Sequence, residues 1–170
     1  TASGIYEAKL GHEEMGKENH VFSPAYKEED FPELVQICDH IIFNSFAQGE
    51  KFGPQAVAAG VSCGLRINPE RSTQEHAIYD PCAEGSRLGV RLRDFEEDKL
   101  AGLEGLHFHT LCEQGADALA VTLEAVEEKF GKYLHGMKWL NFGGGHHITR
   151  AGYDIPLLKK CIRHMQEKYN

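Results

Sequence analysis

Short apolar runs alternate with amphipathic helical stretches along this chain, and that alternation constrains its fold more than any other feature. Three stretches carry apolar side chains at helical spacing, at residues 30–39, 116–134 and 154–169. The remaining apolar runs are too short for helices and are predicted to be strands, at residues 19–23, 40–44, 62–68, 106–111 and 138–142. Strands that alternate with helices predict βα units around a parallel sheet, and therefore an α/β fold.

Local signals add detail to this pattern. Asp30 followed by Glu33 resembles a capping box, and Asp154 precedes Pro156 where the third helix is predicted to begin. Residues 70–87 contain prolines, glycines, serines and charges without a period, which predicts a long surface loop. Glu127 and Glu128, in the second predicted helix, are predicted to lie on a solvated face.

The spacing of the predicted strands limits the number of units. Their carboxyl ends lie about 30 residues apart, near Ser23, Ser45, Asn68, Thr110 and Gly143. A (β/α)8 barrel of about 250 residues uses roughly 31 residues per unit. Residues 1–170 therefore form a single segment of about five units, too few to close an eight-stranded barrel. Two architectures remain open: a complete flavodoxin-like domain, or part of a TIM-like (β/α)8 barrel with about five of its eight units.

Composition argues against several classes of protein. Eighteen basic and 26 acidic side chains give a net charge of −8, which opposes nucleic acid as the main partner. No apolar run is long enough to span a bilayer, so no membrane association is predicted. Five cysteines without a C-x-x-C pair favour reduced thiols in a cytoplasmic protein. Because the chain does not begin with methionine, we expect it to start inside a longer polypeptide.

Polar residues follow every predicted strand, at the sheet edge where α/β proteins bind ligands. Gly143, Gly144 and Gly145 come between a strand and a helical stretch. Their backbone N–H groups could approach a phosphate closely, and the alternative is a flexible turn. The motif is neither a P-loop nor a dinucleotide fingerprint, because the required lysine and glycine spacings are missing.

Several other side chains are candidates for chemistry. His107 and His109 are two residues apart on a strand and therefore face the same side of the sheet, opposite Phe108. They could bind a metal with Cys112, His146 or His147, stack on a ligand ring, or simply pack. Arg66 lies within an apolar strand, so it requires an anionic ligand or a structural carboxylate. Glu113 could contact a cationic substrate or lie at a solvated helix N-terminus.

Several longer strings of residues then become recognisable together. They are GLRINP at 64–69, SRLG at 86–89, GLHFHTLCEQ at 105–114 and KWLNFGGGHH at 138–147, preceded by IYEAKLG at 5–11 and FSPAYK at 22–27. These strings resemble the carboxynorspermidine (carboxyspermidine) decarboxylases from end to end of the chain. Those enzymes form a branch of the alanine-racemase-like, fold type III decarboxylases that depend on pyridoxal 5'-phosphate.

The resemblance implies a fold, an assembly and roles for residues. It implies a barrel followed by a β-rich C-terminal domain absent from this chain, in a homodimer. The lysine that binds the cofactor covalently would precede Thr1, and the acidic partner of the pyridine nitrogen would follow Asn170. Among the residues present, the resemblance implies that His109 stacks on the pyridine ring and acts in catalysis, and that the other cofactor contacts come from Arg66, Cys112, Gly143, Gly144 and Gly145. Glu113 and His147 become candidate substrate-binding residues.

The function predicted from these observations is that of a carboxy-lyase in polyamine synthesis. It would remove the α-carboxylate of carboxynorspermidine or carboxyspermidine, small polycationic molecules that suit an acidic protein. Two alternatives stay open at this point. One is a flavodoxin-like module that binds a phosphorylated ligand, and the other is a metal-dependent barrel hydrolase that uses His107 and His109.

Overall fold

Strands and helices alternate along the chain, as the apolar periodicity predicts. The computed structural model describes residues 1–169. The strands are β1 (His20–Phe22), β2 (His40–Phe43), β3 (Ser62–Arg66), β4 (Gly105–His107) and β5 (Trp139–Asn141). The helices are α1 (Ile5–Leu10), α2 (Phe31–Ile37), α3 (Phe46–Ala58), α4 (Ala116–Leu134) and α5 (Ile155–Tyr169). All five predicted strands and all three predicted helices are therefore confirmed, with ends that differ by a few residues.

All five strands are parallel, and each one pairs with the next strand along the chain. A flavodoxin-like sheet has the order 2-1-3-4-5, because its chain reverses direction and places helices on both faces. The order 1-2-3-4-5 observed here is that of successive units in a barrel wall. The fold is thus about five units of a TIM-like barrel, and the flavodoxin-like alternative is wrong.

The two faces of the sheet differ in chemistry because successive side chains alternate between them. Apolar side chains on the outer face pack against the helices in one core, which includes Ile41, Phe43, Leu65, Leu106, Leu119 and Phe130. The inner face carries aromatic and polar side chains as well as aliphatic ones. Among them are Phe22, His107 and the aliphatic Ile42, which line one cleft together.

The ends of the helices confirm one predicted cap and correct another. The Asp154 side chain accepts a hydrogen bond from the Leu157 N–H at 2.9 Å, as a cap of α5 does. Asp30 makes no side-chain cap and has helical backbone angles, so the predicted capping box at Asp30 and Glu33 is wrong. Helix α3 contains Pro54, which is unfavourable within a helix, and Ser45 caps its first turn.

A long connection between β3 and β4 lies over the carboxyl ends of the neighbouring strands. It extends the loop predicted at residues 70–87 and contains three short 3₁₀ turns, Ala77–Tyr79, Leu92–Asp94 and Glu97–Leu100. Val90 exchanges hydrogen bonds with the chain just after β3, and Asn44 accepts the Gly89 N–H at 2.8 Å. These bonds tie the connection to the edge of the sheet where a ligand would bind.

Helices α4 and α5 are joined by an ion-pair cluster that the sequence did not predict. The Glu127 side chain is 17% exposed, so its predicted position on a solvated face is wrong. Its carboxylate accepts hydrogen bonds from His164 at 3.0 Å, Lys168 at 2.7 Å and Tyr169 at 2.9 Å. Burial raises the pKa of this carboxyl group, and the three hydrogen bonds outweigh that effect and lower it.

No helix within residues 1–169 is long and apolar enough to cross a membrane.

Candidate functional site

Three polar side chains form one row across the inner face at the carboxyl edge of the sheet. The strand register places Arg66 beside His107, and His107 beside Asn141. Because these residues end β3, β4 and β5, the loops that follow the strands surround the row. The candidate ligand site is therefore built on three neighbouring strands, which hold its base rigidly.

The glycine turn after β5 packs directly against the chain after β4. Gly143 and Gly145 have φ angles of 74° and 81°, which favour glycine. A Cβ atom at Gly143 would lie 2.5 Å from the Phe108 carbonyl oxygen and 2.7 Å from the His109 Cβ. The turn is fixed from below, since the Gly143 N–H donates to the Asn141 Oδ1 at 2.8 Å. Glycine at position 143 is thus required by both conformation and space.

His109 and the glycine turn open onto the same cleft. This cleft has a volume of about 200 Å³, and its lining includes Phe22, His107, His109, Gly143 and Gly144. A Cβ atom at Gly144 would lie 3.5 Å from the His109 Cε1, so the turn and the imidazole are in near contact. His107 and His109 face this cleft together, while Phe108 is fully buried and packs on Phe142, as the alternation predicted.

Arg66 is buried at the base of this site without a carboxylate partner among residues 1–169. Its side chain is only 5% exposed, donates to the His109 carbonyl oxygen at 3.1 Å and lies over the Phe22 ring at 4.6 Å. Burial lowers the pKa of its guanidinium to about 10, which leaves it positively charged near neutral pH. The structural carboxylate that was one predicted explanation for Arg66 is therefore not found within residues 1–169, so Arg66 brings a positive charge without an ion pair to the base of the site.

His107 and His109 are neutral near pH 7. Burial, followed by the charge of Arg66, lowers the pKa of His107 from 6.5 to about 3. The same two causes lower the pKa of His109. His107 is 4% exposed, and its Nδ1 lies 3.1 Å from the Asn141 Oδ1. A neutral, flat His109 ring beside a glycine turn suits an aromatic ligand that carries an anionic group.

The remaining predicted site residues lie outside this cleft. Cys112 and Glu113 are exposed in the loop before α4, and Glu113 has a left-handed φ of 53°. His147 lines a separate cavity of about 440 Å³ at the N-terminus of α4. A Cβ atom at Gly145 would overlap the Leu111 carbonyl oxygen, so Gly145 lies against that loop and not on the cleft.

The arrangement does not support the predicted metal site of a hydrolase. Within residues 1–169, His107 and His109 belong to no cluster of three potential ligand atoms. The one such cluster within these residues joins Glu18, His20 and His40, at the amino-terminal ends of β1 and β2. Its two imidazole rings stack at 3.9 Å with 14° between their planes, so their lone pairs run parallel and do not converge on one ion.

Two functional neighbours were not predicted from the sequence. Asn141 orients both the glycine turn and His107, and Phe22 covers the Arg66 guanidinium. The alternation of faces within β1 and β5 was the available signal, because it places both side chains on the same face as His107.

The comparisons with known proteins agree with this geometry. No family model matches the chain. It is 49% identical over 169 residues to a carboxynorspermidine/carboxyspermidine decarboxylase of Campylobacter jejuni, covering 99% of this chain and 44% of the relative. It is 43% identical over 169 residues to a carboxyaminopropylagmatine decarboxylase of Synechocystis, with the same coverage. The chain is a homologue of these decarboxylases.

Solved structures give the same result for the fold. The crystal structure of carboxynorspermidine decarboxylase from Campylobacter jejuni, complexed with norspermidine, matches with a TM-score of 0.88 and 47% identity over 99% of this chain and 42% of that one. Diaminopimelate decarboxylase from Helicobacter pylori, complexed with L-lysine, matches with a TM-score of 0.72 and 17% identity over 99% of this chain and 47% of that one. The chain thus spans less than half the length of these proteins and corresponds to part of their barrel.

Proposed function

We propose that the protein containing this chain is a pyridoxal-phosphate-dependent decarboxylase of carboxynorspermidine or carboxyspermidine, a carboxy-lyase of polyamine biosynthesis. One structural observation carries the proposal: His109 and the glycine turn line the same cleft, and the buried Arg66, which forms no ion pair within residues 1–169, donates to the His109 carbonyl oxygen. The 49% identity to a decarboxylase of these substrates supports the proposed reaction. The cofactor, the substrate and the cytoplasmic location are parts of this proposal.

The residues present fit a flat aromatic ring that carries a phosphate. The His109 ring offers a face for stacking, and the glycine turn leaves room because a Cβ at Gly143 would fill it. Within residues 1–169, the Gly144 and Gly145 N–H groups have no hydrogen-bond acceptor, so they can donate to phosphate oxygens. We propose that His109, Gly143 and Gly144 hold the ring and its phosphate in the cleft, and that the Gly145 N–H donates to the phosphate from the end of the turn, beside the residues that line the cleft.

The chemistry of decarboxylation places clear demands on the chain. Bound pyridoxal phosphate supplies the electron sink for the pair of electrons left behind when the carboxylate departs as CO2. His109 is neutral and therefore packs on the ring without adding charge to it. Arg66 places a fixed positive charge at the base of the site, where it stabilises negative charge. Phe22 and Ile42 form an apolar wall that limits water.

Residues at the rim would complete the site. We propose that Cys112 lies near the phosphate, and that Glu113 and His147 face the substrate. The exposed Glu113 carboxylate suits an ammonium group, and His147 is exposed on the same loop cluster. A C-terminal β domain and a homodimer are further parts of the proposal, supported only by the resemblance to the decarboxylases, of which the chain spans 44%.

The test is a decarboxylation assay of the protein that contains this chain, with and without added pyridoxal phosphate. Three substrates are compared: carboxynorspermidine, carboxyspermidine and carboxyaminopropylagmatine. We expect CO2 release that depends on pyridoxal phosphate, fastest with one of the first two substrates. His109→Ala is expected to lower the rate, while the exposed Glu128→Gln on α4 serves as a control. Preference for the third substrate would contradict the proposed specificity, and activity without the cofactor would contradict the mechanism.

A further inference from the structure

His107 is held in a hydrogen-bond arrangement that leaves one of its ring nitrogens free. The Asn141 Oδ1 lies 2.8 Å from the Gly143 N and 3.1 Å from the His107 Nδ1. The backbone N–H of Gly143 can only donate, so the Asn141 atom it meets must be the carbonyl oxygen. That oxygen can only accept, and the His107 Nδ1 must therefore carry the proton.

This protonation of Nδ1 determines what the other nitrogen can do. In a neutral imidazole with a proton on Nδ1, the Nε2 is a lone pair that accepts hydrogen bonds. The His107 Nε2 is buried and has no hydrogen-bond partner within residues 1–169. A buried polar atom without a partner is costly, and such atoms are rare in folded proteins. The site is thus prepared for a donor that the described residues do not supply.

The surroundings show what the donor meets. The His107 ring lies 5.5 Å from the Phe22 ring, which is itself covered by the Arg66 guanidinium at 4.6 Å. Arg66 forms no ion pair within residues 1–169, whereas the exposed Glu7 lines the same cleft, so these charges do not restrict the charge of the donor. Any ligand O–H or N–H group that reaches the Nε2 can supply the proton. The His109 ring, 6.3 Å from the His107 ring, places this point beside the proposed cofactor position.

We propose that His107 is a positioning residue whose Nε2 accepts a hydrogen bond from an O–H or N–H group of the ligand in the cleft. Its Nδ1–H, through Asn141, holds the glycine turn, so one imidazole connects the base of the cleft to the proposed phosphate site. The inference rests on the proposed function, because the ligand is either the cofactor or a polyamine bound with it.

Two substitutions separate the two nitrogens of His107. Gln can place an amide oxygen near the Nε2 position, and so keeps the acceptor in the cleft. Asn can place an amide N–H near the Nδ1 position, and so keeps the bond to Asn141 but loses the acceptor. The experiment measures the dissociation constant of pyridoxal phosphate by absorbance titration for the wild type, His107→Gln and His107→Asn, in the protein that contains this chain, with and without norspermidine.

We expect His107→Asn to weaken binding of one ligand about fivefold, since a hydrogen bond is worth about 1 kcal/mol and tenfold corresponds to about 1.4 kcal/mol. His107→Gln is expected to stay within about twofold of the wild type. Loss confined to pyridoxal phosphate assigns the donor to the cofactor, and loss only with norspermidine assigns it to the polyamine. If Asn binds as well as Gln or better, the inference is overturned, because the Nδ1 bond alone would then matter.

A spectroscopic measurement keeps the test independent of folding of the variants. In the wild type, the ¹⁵N spectrum of the His107 ring is expected to show a protonated Nδ1 and a bare Nε2 at neutral pH, and the Nε2 signal should shift when ligand is added. A protonated Nε2, or no shift with either ligand, would overturn the inference. Failure of the wild type to bind pyridoxal phosphate at all would instead overturn the proposed function.

Discussion

Replacement of Gly143 by alanine tests whether the glycine turn is shaped by its contacts with the chain after β4. The added methyl group would lie 2.5 Å from the Phe108 oxygen and 2.7 Å from the His109 Cβ. The first of these neighbours is a backbone atom, which cannot move without shifting the carboxyl end of β4. The residue would also have to keep a φ of 74°, which is unfavourable for alanine.

The expected loss of stability in Gly143→Ala has two parts of similar size. The left-handed conformation costs roughly 1–2 kcal/mol for a residue with a Cβ. Forcing an extra methyl group into a well-packed region costs typically about 1–3 kcal/mol. We therefore expect Gly143→Ala to lower the free energy of unfolding by about 2–5 kcal/mol, which is a large part of the roughly 5–15 kcal/mol available to a folded protein.

Gly144→Ala is the matched control for this experiment. Its φ is not left-handed, and the new methyl group would meet only the His109 ring, at 3.5 Å. We expect unfolding in urea to be nearly unchanged for this variant, within about 0.5 kcal/mol, although the methyl group narrows the space beside His109 and weakens pyridoxal phosphate binding. Equal stability of Gly143→Ala and the wild type would refute the packing argument for the turn.

Three further predictions concern stability. The pKa of His107 is lowered from 6.5 to about 3 in the folded state, so its contribution to stability is complete above pH 6.5 and is lost as the pH falls towards 3. The free energy of unfolding of the wild type should therefore decrease between about pH 7 and about pH 5. In His107→Gln this decrease should be smaller, by up to about 1.4 kcal/mol per pH unit. Glu127→Gln should lower the free energy of unfolding by about 1–2 kcal/mol, because it weakens the contact between α4 and α5. In urea unfolding, high salt should reduce the difference between the variant and the wild type. Gly105→Ala should lower the free energy of unfolding by about 1–3 kcal/mol, because the added Cβ would overlap the Trp139 ring. In the double variant, Trp139→Leu should restore part of that loss.

The sequence predicted the order of elements because each one has a strong period of its own. Helix α4 was predicted with both ends correct, since its apolar side chains repeat over five turns of helix. The same-side placement of His107 and His109 also followed from alternation alone. The number of units followed from spacing, but spacing could not separate a barrel wall from a doubly wound sheet, because both use parallel βα units.

The parts that could not be predicted depend on contacts between distant residues. The row of Arg66, His107 and Asn141 requires the register of three strands, which is fixed by packing across 75 residues of sequence and not by any local pattern. The Glu127 cluster was missed for the same reason, since His164 and Lys168 come from another helix. Asp30 failed as a capping residue because its backbone is already helical. Local patterns place these residues on helices or strands, and only the tertiary fold decides their partners.

The inner face of the sheet has an aromatic layer directly below the polar row of the candidate site. Below the row of Arg66, His107 and Asn141, the Trp139 ring lies across Gly64 and Gly105, and its Nε1–H donates to the Ser62 Oγ at 2.9 Å. A side chain at either glycine would overlap that ring. The Trp139 ring therefore occupies the space that side chains at positions 64 and 105 would otherwise use. The Trp139 ring fills this layer, and the cleft that contains His109 and the glycine turn lies at the carboxyl edge. The glycines of β3 and β4 therefore shape the base of the site, although neither lines the cleft.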